Sequence, residues 1–357
     1  MSGGSGPPGD EDGPAQEDEE PEAGRPGRAE RDRRHFVACW SERDSLDGNE
    51  CRAWVLVLRT RGCSWARCAM CGYHDEAAPA SGEDLLHQFG EALQRRRGER
   101  IAKVYTSGSF FDDGEVPPGI RARILGELSG AFGRVVIESR PVFLTEGAVS
   151  DALSSCPGLE VALGLESASP RVLERSVRKG FTFSDYADGA TLVRRLGGRV
   201  RTYLLLKPPF LTEREAVEDA VASALRAAPL SDTVSLNPVN VQRGTLVDRL
   251  WRRGLYRPPW LWSAAEALLR VRRGLGEAAP GARLVCAPSG AGRRRGPQNC
   301  GGCDASVLSA LEEFSVSQDV LHLEKVLSAG CSCMPHWRQV LDAGAFAEIM
   351  QDALKPR

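Results

Sequence analysis

Cys63, Cys68 and Cys71 stand in a C-x4-C-x2-C spacing within one short stretch of this 357-residue chain. Three thiolates so close together can each hold one iron of a [4Fe–4S] cubane, and the fourth iron then keeps an open position for a further ligand. The competing occupant is zinc, which usually recruits four protein ligands, and His74, three residues past Cys71, offers a fourth. Three cysteines rather than four is the chemically important count.

A second group lies towards the C-terminus. Cys300 and Cys303 form a C-x2-C knuckle, Cys331 and Cys333 a C-x-C pair, and Cys286 precedes both. A small loop-rich module often needs a staple, and a tetrathiolate zinc supplies one. An auxiliary iron–sulfur cluster and unligated thiols are the alternatives, and five candidates for four places leave one spare. Cys39, Cys51 and Cys156 look isolated. In a reducing compartment, clustered cysteines are more often metal ligands than disulfides.

The elements around the first group narrow its chemistry. The apolar run 52–58 reads as a buried strand that leads straight into Arg59-Thr60-Arg61-Gly62-Cys63. Further strands are expected near 102–106, 134–138, 159–165, 200–206 and 232–236. Helical patterns lie near 83–97, 118–130, 144–154, 170–177, 184–196, 213–228 and 244–253. Such alternation argues for parallel βαβ units. Six strands are too few for an eight-fold barrel, so the α/β core over 34–262 reads as a partial (βα)6, TIM-like barrel. Residues 1–33, rich in Gly, Pro and Glu, read as a disordered acidic tail. Residues 263–357 read as a small cysteine-containing C-terminal module in which a metal site is expected.

In barrels, chemistry collects at the C-terminal ends of the strands. Those ends carry Ser107-Gly108-Ser109, Glu138-Ser139-Arg140, Glu166-Ser167, Lys207-Pro208-Pro209 and Asn237-Pro238-Val239-Asn240. This arrangement suits S-adenosylmethionine (SAM) on the open iron. An electron from the cluster would break the sulfonium C–S bond and give a 5′-deoxyadenosyl radical. Ser107 and Gly108 would meet the methionine amine through the backbone. Glu138 and Glu166 would bind ribose hydroxyls, and Arg140 the methionine carboxylate. Lys207 joins this cofactor set as the strand-five candidate. With Asn237, Asn240 and Gln242 it could also face substrate.

The net charge of −2 hides an asymmetry. Residues 1–24 hold eight acids and no Lys or Arg, which leaves 46 basic against 40 acidic residues in the rest. A basic body fits an anionic partner such as RNA. Arg95, Arg96, Arg97 and Arg293, Arg294, Arg295 are candidates for phosphate contact, solvated surface arginines being the plain alternative. No apolar run approaches the roughly 18–20 residues of a membrane span. No signal-peptide pattern opens the chain, so a cytoplasmic location is expected.

The run Leu58-Arg-Thr-Arg-Gly-Cys63-Ser-Trp-Ala-Arg-Cys68-Ala-Met-Cys71-Gly-Tyr73 resembles the radical SAM subunit of archaeosine synthase, the RaSEA family, with an Elp3-like core. Tyr105-Thr-Ser-Gly-Ser-Phe110, Gly164-Leu-Glu-Ser167, Leu204-Leu-Leu-Lys-Pro-Pro-Phe-Leu211 and Asn237-Pro-Val-Asn-Val-Gln-Arg-Gly-Thr245 agree, as do Tyr256–Trp262 and Arg295–Asp304. The resemblance covers about 36–340. Gln298 stands where this family is expected to carry a His, which leaves the second site to cysteines.

The resemblance implies a reaction on tRNA. A lysine-transferring partner subunit first attaches lysine, through its side-chain amine, to the 7-cyano-7-deazaguanine (preQ0) base at position 15. The radical SAM subunit then takes a hydrogen from the lysine side chain. It cleaves the lysine C–N bond as a lyase and leaves the formamidine of archaeosine. Another radical SAM tRNA-modifying enzyme is a rival. A methylthiotransferase would need a second three-cysteine domain upstream, and an acyltransferase a further coenzyme-binding domain. A zinc-stabilised RNA-binding protein without catalysis is the rival of another class.

Overall fold

The computed structural model describes residues 33–276, 279 and 281–343. The expected acidic tail therefore lies, but for Arg33, outside the described residues, as does the end of the C-terminal module.

One curled, eight-stranded sheet runs in chain order from β1 to β8. Its strands are β1 (Ala38–Leu46), β2 (Asn49–Val57), β3 (Ile101–Tyr105), β4 (Arg134–Ser139), β5 (Leu159–Glu166), β6 (Arg199–Leu206), β7 (Thr233–Pro238) and β8 (Arg283–Val285). Strands β2 to β8 are parallel, and β1 is antiparallel to β2. The six expected strands are β2 to β7. The structure adds one strand at each edge. β1 returns through a hairpin whose Asp47 and Gly48 hold φ of 53° and 82°, the left-handed pair that suits a two-residue turn. β8 has three residues, too few to leave a pattern.

Helices alternate with strands as the periodicity predicts: α1 (Gly82–Leu93), α2 (Pro118–Ala131), α3 (Glu146–Ser155), α4 (Phe183–Arg195), α5 (Glu213–Ala227), α6 (Leu246–Arg252) and α7 (Leu261–Leu275). Ser81, Thr182 and Thr212 close capping boxes on α1, α4 and α5, which fixes where those helices start. Then follow α8 (Asp304–Ser317), α9 (Leu321–Ala329) and α10 (Met334–Asp342).

Strand parity divides the sheet into two faces. Val104, Ile137, Val161, Leu163, Leu204 and Leu236 belong to the main apolar core, which includes residues of α1 to α5. The opposite, concave face carries Lys103, Tyr105, Glu138, Arg201 and Tyr203, and it lines a cavity. Side-chain ion pairs join the two sheet edges. Arg283 at β8 reaches Asp44 on β1 at 3.4 Å, and Arg43 on β1 reaches Glu313 on α8 at 2.8 Å. No described helix is long and apolar enough to cross a membrane.

Candidate functional site

The concave face encloses a cavity of about 930 Å³. Cys63, Cys68 and Cys71 line it from the loop that follows β2. Ser107, Gly108, Glu138, Arg140 and Glu166 line it from the ends of β3, β4 and β5, and Asn237, Asn240 and Gln242 from β7 and beyond. The residues predicted from strand ends thus meet in one place, with the exception of Lys207.

Several contacts pin the three-cysteine loop. The Ala69 N–H donates to Val177 O at 3.0 Å, and the Val247 N–H donates to Ala69 O at 3.2 Å. The Gly72 N–H donates to the side-chain oxygen of Gln242. Trp65 Nε1 donates to Arg178 O at 2.9 Å. Glu115 stitches the loop to β3: it accepts from Thr60 Oγ1 at 2.7 Å and from the Ser109 N–H at 2.8 Å. A Cβ on Gly108 would lie 2.7 Å from Cys63 Cα, so only glycine lets that backbone approach.

The donor set fits a cluster. All three thiols are free. Burial pushes the Cys68 thiol up and the Cys71 thiol up to about 12, so both stay protonated until a cation draws them. Among the described residues, only Cys300, Cys303, Cys331 and Cys333 bring three or more ligand atoms within 4.8 Å of one another. The first three cysteines therefore do not converge at single-ion spacing, and His74 turns to Asp75 at 3.4 Å instead of joining them. Wider spacing suits a cubane, in which each thiolate takes a different iron.

The polar walls fit a zwitterionic nucleoside. Burial raises the Glu138 carboxyl to about 8, against the Thr106 N–H that donates to it at 2.9 Å. Arg140 has a buried Nε without a partner, and its guanidinium lies 5.2 Å from the Trp65 ring centroid. Its backbone N–H donates to Ser109 Oγ at 3.0 Å. Glu166 pairs with Lys179 at 2.6 Å. Nothing in the sequence marked Lys179, which arrives from a loop well past β5. Deeper in the barrel, Tyr105 and Tyr203 place their hydroxyls 3.2 Å apart. Below them Lys103 pairs with Asp44 at 2.6 Å and Arg201 with Glu160 at 3.1 Å. Burial alone would raise the Asp44 carboxyl, but Lys103, Arg201 and Arg283 hold it well below the usual range.

Two expected residues are placed elsewhere. Lys207 has a φ of 64° just beyond β6. That left-handed turn interrupts strand parity, and Lys207 Nζ pairs with the buried Glu213 of α5 at 2.7 Å instead of lining the cavity. Cys286 does not join the second cysteine group. It lies just past β8, its N–H donates to Ser315 Oγ at 2.9 Å, and its thiol, pushed up by burial, lines the large cavity.

The other four form one group. Cys300 to Cys303, Cys300 to Cys331 and Cys303 to Cys333 are each 3.7 Å apart between sulfurs. A tetrahedral ion with metal–sulfur arms of about 2.3 Å has sulfur–sulfur edges of about 3.8 Å. Trp262 Nε1 donates to Cys333 Sγ at 3.3 Å and Asn299 Nδ2 to Cys303 Sγ at 3.5 Å, second-layer contacts of the kind that orient thiolates on a metal. Cys303 and Cys333 stand at the starts of α8 and α10, and burial pushes both thiols up, Cys303 to about 12, so a bound metal ion must draw out their thiolates.

No family model matches the chain. Among solved structures, an N-terminally truncated Elp3 from Methanocaldococcus infernus aligns over 69% of this chain and 59% of its own, at 15% identity and a TM-score of 0.48. Among curated proteins, archaeosine synthase subunit beta of Methanosarcina acetivorans is 39% identical over 321 residues, 87% of this chain and 91% of that protein. Its counterpart in Thermococcus kodakarensis is 38% identical over 85% of this chain and 96% of that protein. Identity of that level over nearly the full length of both relatives, with the three-cysteine loop and strand ends gathered around one cavity, establishes that this chain belongs to the archaeosine synthase subunit beta family.

Proposed function

We propose that this chain is a radical SAM [4Fe–4S] lyase of archaeosine biosynthesis, which cleaves the lysine C–N bond of lysine-modified preQ0 at position 15 of tRNA. The observation that carries this reading is the close approach of the Cys63 loop to Gly108, at the mouth of a cavity walled by Glu138, Arg140 and Glu166. Family membership supports the substrate.

When bound, the cluster and SAM supply a 5′-deoxyadenosyl radical. Cys63, Cys68 and Cys71 would each take one iron. The backbone at Ser107 and Gly108 would receive the methionine amine, and the Arg140 guanidinium the methionine carboxylate. Glu138, whose carboxyl burial raises to about 8, can in its protonated form both donate to and accept from a ribose hydroxyl. Lys179 pairs with Glu166 and holds it in one orientation. Asn237, Asn240 and Gln242 would face the deazaguanine or its lysine.

The second cysteine group would hold zinc, because its edges match a single tetrahedral ion. The relatives are named as a subunit, which supports a partner subunit for this chain, and in the proposed reaction that partner is the lysine-transferring one. The test is anaerobic reconstitution with iron and sulfide, then SAM, reductant and lysine-modified tRNA. Archaeosine and 5′-deoxyadenosine should form together. Formation of 5′-deoxyadenosine with free lysine but not with the modified tRNA would contradict the reading.

A further inference from the structure

One part of the surface has a composition unlike the rest. Residues 243–257 and 289–299 together contain eight arginines and a single acid, Asp248. The two segments pack side by side. Arg294 and Arg295 place their guanidinium carbons 5.3 Å and 4.6 Å from the Trp251 ring centroid. Asp248 is already engaged, by Arg295 at 2.6 Å and Arg252 at 3.2 Å. Arg294 makes no hydrogen bond or ion pair among the described residues, and it is exposed. Between the segments lies a second cavity of about 550 Å³, lined by Trp251, Arg252, Tyr256, Arg257, Arg294 and Gln298, with no acid in its wall.

This pocket adjoins the large cavity through one loop. The Val241 N–H donates to Arg295 O at 2.7 Å, and Arg295 Nε donates back to Val241 O at 3.0 Å. The neighbours of Val241, Asn240 and Gln242, line the large cavity. The other arginine run sits at the opposite end of the sheet, just before β3 begins. There Arg95 pairs with Glu91 at 3.0 Å, and Arg96 donates to Ala131 O at 2.6 Å.

We propose that the Trp251–Arg252–Arg294 pocket is a docking site for the tRNA backbone beside the reacting nucleotide. Its guanidinium groups take phosphates, and the exposed part of Trp251 stacks on an unpaired base. The chemistry is that of RNA recognition: guanidinium groups neutralise phosphodiesters, and an aromatic ring held by cations offers a platform for a base. A folded acidic protein would meet the same charge, and direct measurement of tRNA binding separates the two. The proposal rests on the reading of the large cavity as the place where a tRNA nucleotide reacts.

The test measures binding of a tRNA transcript to the full chain across a salt series. The double variant Arg252→Glu with Arg294→Glu is expected to bind at least tenfold more weakly. Loss of two phosphate contacts should lower the slope of log affinity on log salt by about 1.4–1.8. Trp251→Ala should weaken binding with little change of slope, and Arg123→Glu, at an exposed position on α2, should bind within twofold of the parent. A double variant that melts like the parent yet binds tRNA within twofold, with an unchanged slope, overturns the proposal. So does one that loses a protein partner while keeping its tRNA affinity. Should the double variant melt early, Arg294→Ala decides: threefold weaker binding supports the proposal and unchanged binding overturns it. Because binding is read without turnover, tRNA affinity that depends on this pocket in a chain that forms no archaeosine would leave the docking site standing and remove the lyase reading.

Discussion

Gly108, just past β3, lies so close to Cys63 that an added methyl carbon would sit 2.7 Å from Cys63 Cα and 2.9 Å from its Cβ. The contact couples the loop that would hold the cluster to the strand end that would hold SAM. Gly108→Ala must separate them. It is expected to lower iron retained after reconstitution and to cut SAM cleavage at least tenfold. Gly119→Ala on α2, where the new carbon meets nothing within 4 Å, should leave both at parental values. Iron analysis and 5′-deoxyadenosine yield check this. An unaffected Gly108→Ala would break the proposed coupling.

The second cysteine group should hold one zinc per chain and no iron. Cys303→Ser should lose that zinc and lower the melting temperature by several degrees, because α8 and α10 lose their shared anchor. Cys286→Ser should keep the zinc in full. Elemental analysis separates the two, and zinc loss in Cys286→Ser would reinstate that residue as a ligand.

Lys207 and Glu213 form a buried pair, at 8% and 2% exposure. Glu213 Oε1 also accepts from the Trp260 N–H at 2.8 Å and from Ser263 Oγ at 2.6 Å. Glu213→Ala leaves a buried ammonium without its partner and is expected to cost about 3–5 kcal/mol in chemical denaturation. Replacing both, Lys207→Met with Glu213→Leu, should cost less than Glu213→Ala alone. A fully stable Glu213→Ala would return Lys207 to the list of free ligand groups.

Glu138 gives a pH signature. Its carboxyl, ordinarily near 4.5, is raised to about 8 by burial. A raised carboxyl contributes its stability below the unfolded value and loses it as pH climbs through the folded one. Stability should therefore fall between about pH 4.5 and 8, by less than the full 1.4 kcal/mol per pH unit because the side chain is only partly enclosed. Glu138→Gln should flatten that stretch of the curve. A parallel decline in the variant would assign the slope to other groups.

Much of this site was legible in the residues. β2 running into Cys63, and five further strands ending in polar signatures, placed eleven of the twelve residues predicted to face cofactor or substrate, cluster cysteines included, on one cavity. What escaped has physical reasons. Lys103 and Tyr105 alternate with apolar residues along β3, and Arg201 and Tyr203 alternate with the buried Val200, Thr202 and Leu204 along β6. That parity marked a polar concave face, a signal that was open to reading. Lys179 carried no such mark, because its place depends on a π-helical turn over Val172–Val177 and a left-handed Arg178. Lys207 misled because parity holds only while the backbone stays extended, and its φ of 64° ends that. The Asp47-Gly48 turn could have revealed β1, whereas β8 is too short to be seen. The spare cysteine was anticipated, but only the fold could single out Cys286, because spacing says nothing of which loop returns to the sheet.

In the proposed reaction a radical generated beside Cys63, Cys68 and Cys71 takes hydrogen from the lysine carried by tRNA. Turnover of tRNA bearing fully deuterated lysine, with mass analysis of the 5′-deoxyadenosine released, tests it most directly. One deuterium is expected in the 5′-deoxyadenosine, with archaeosine in equal amount. Archaeosine accompanied by unlabelled 5′-deoxyadenosine, or formed without it, would rule out hydrogen abstraction from the lysine.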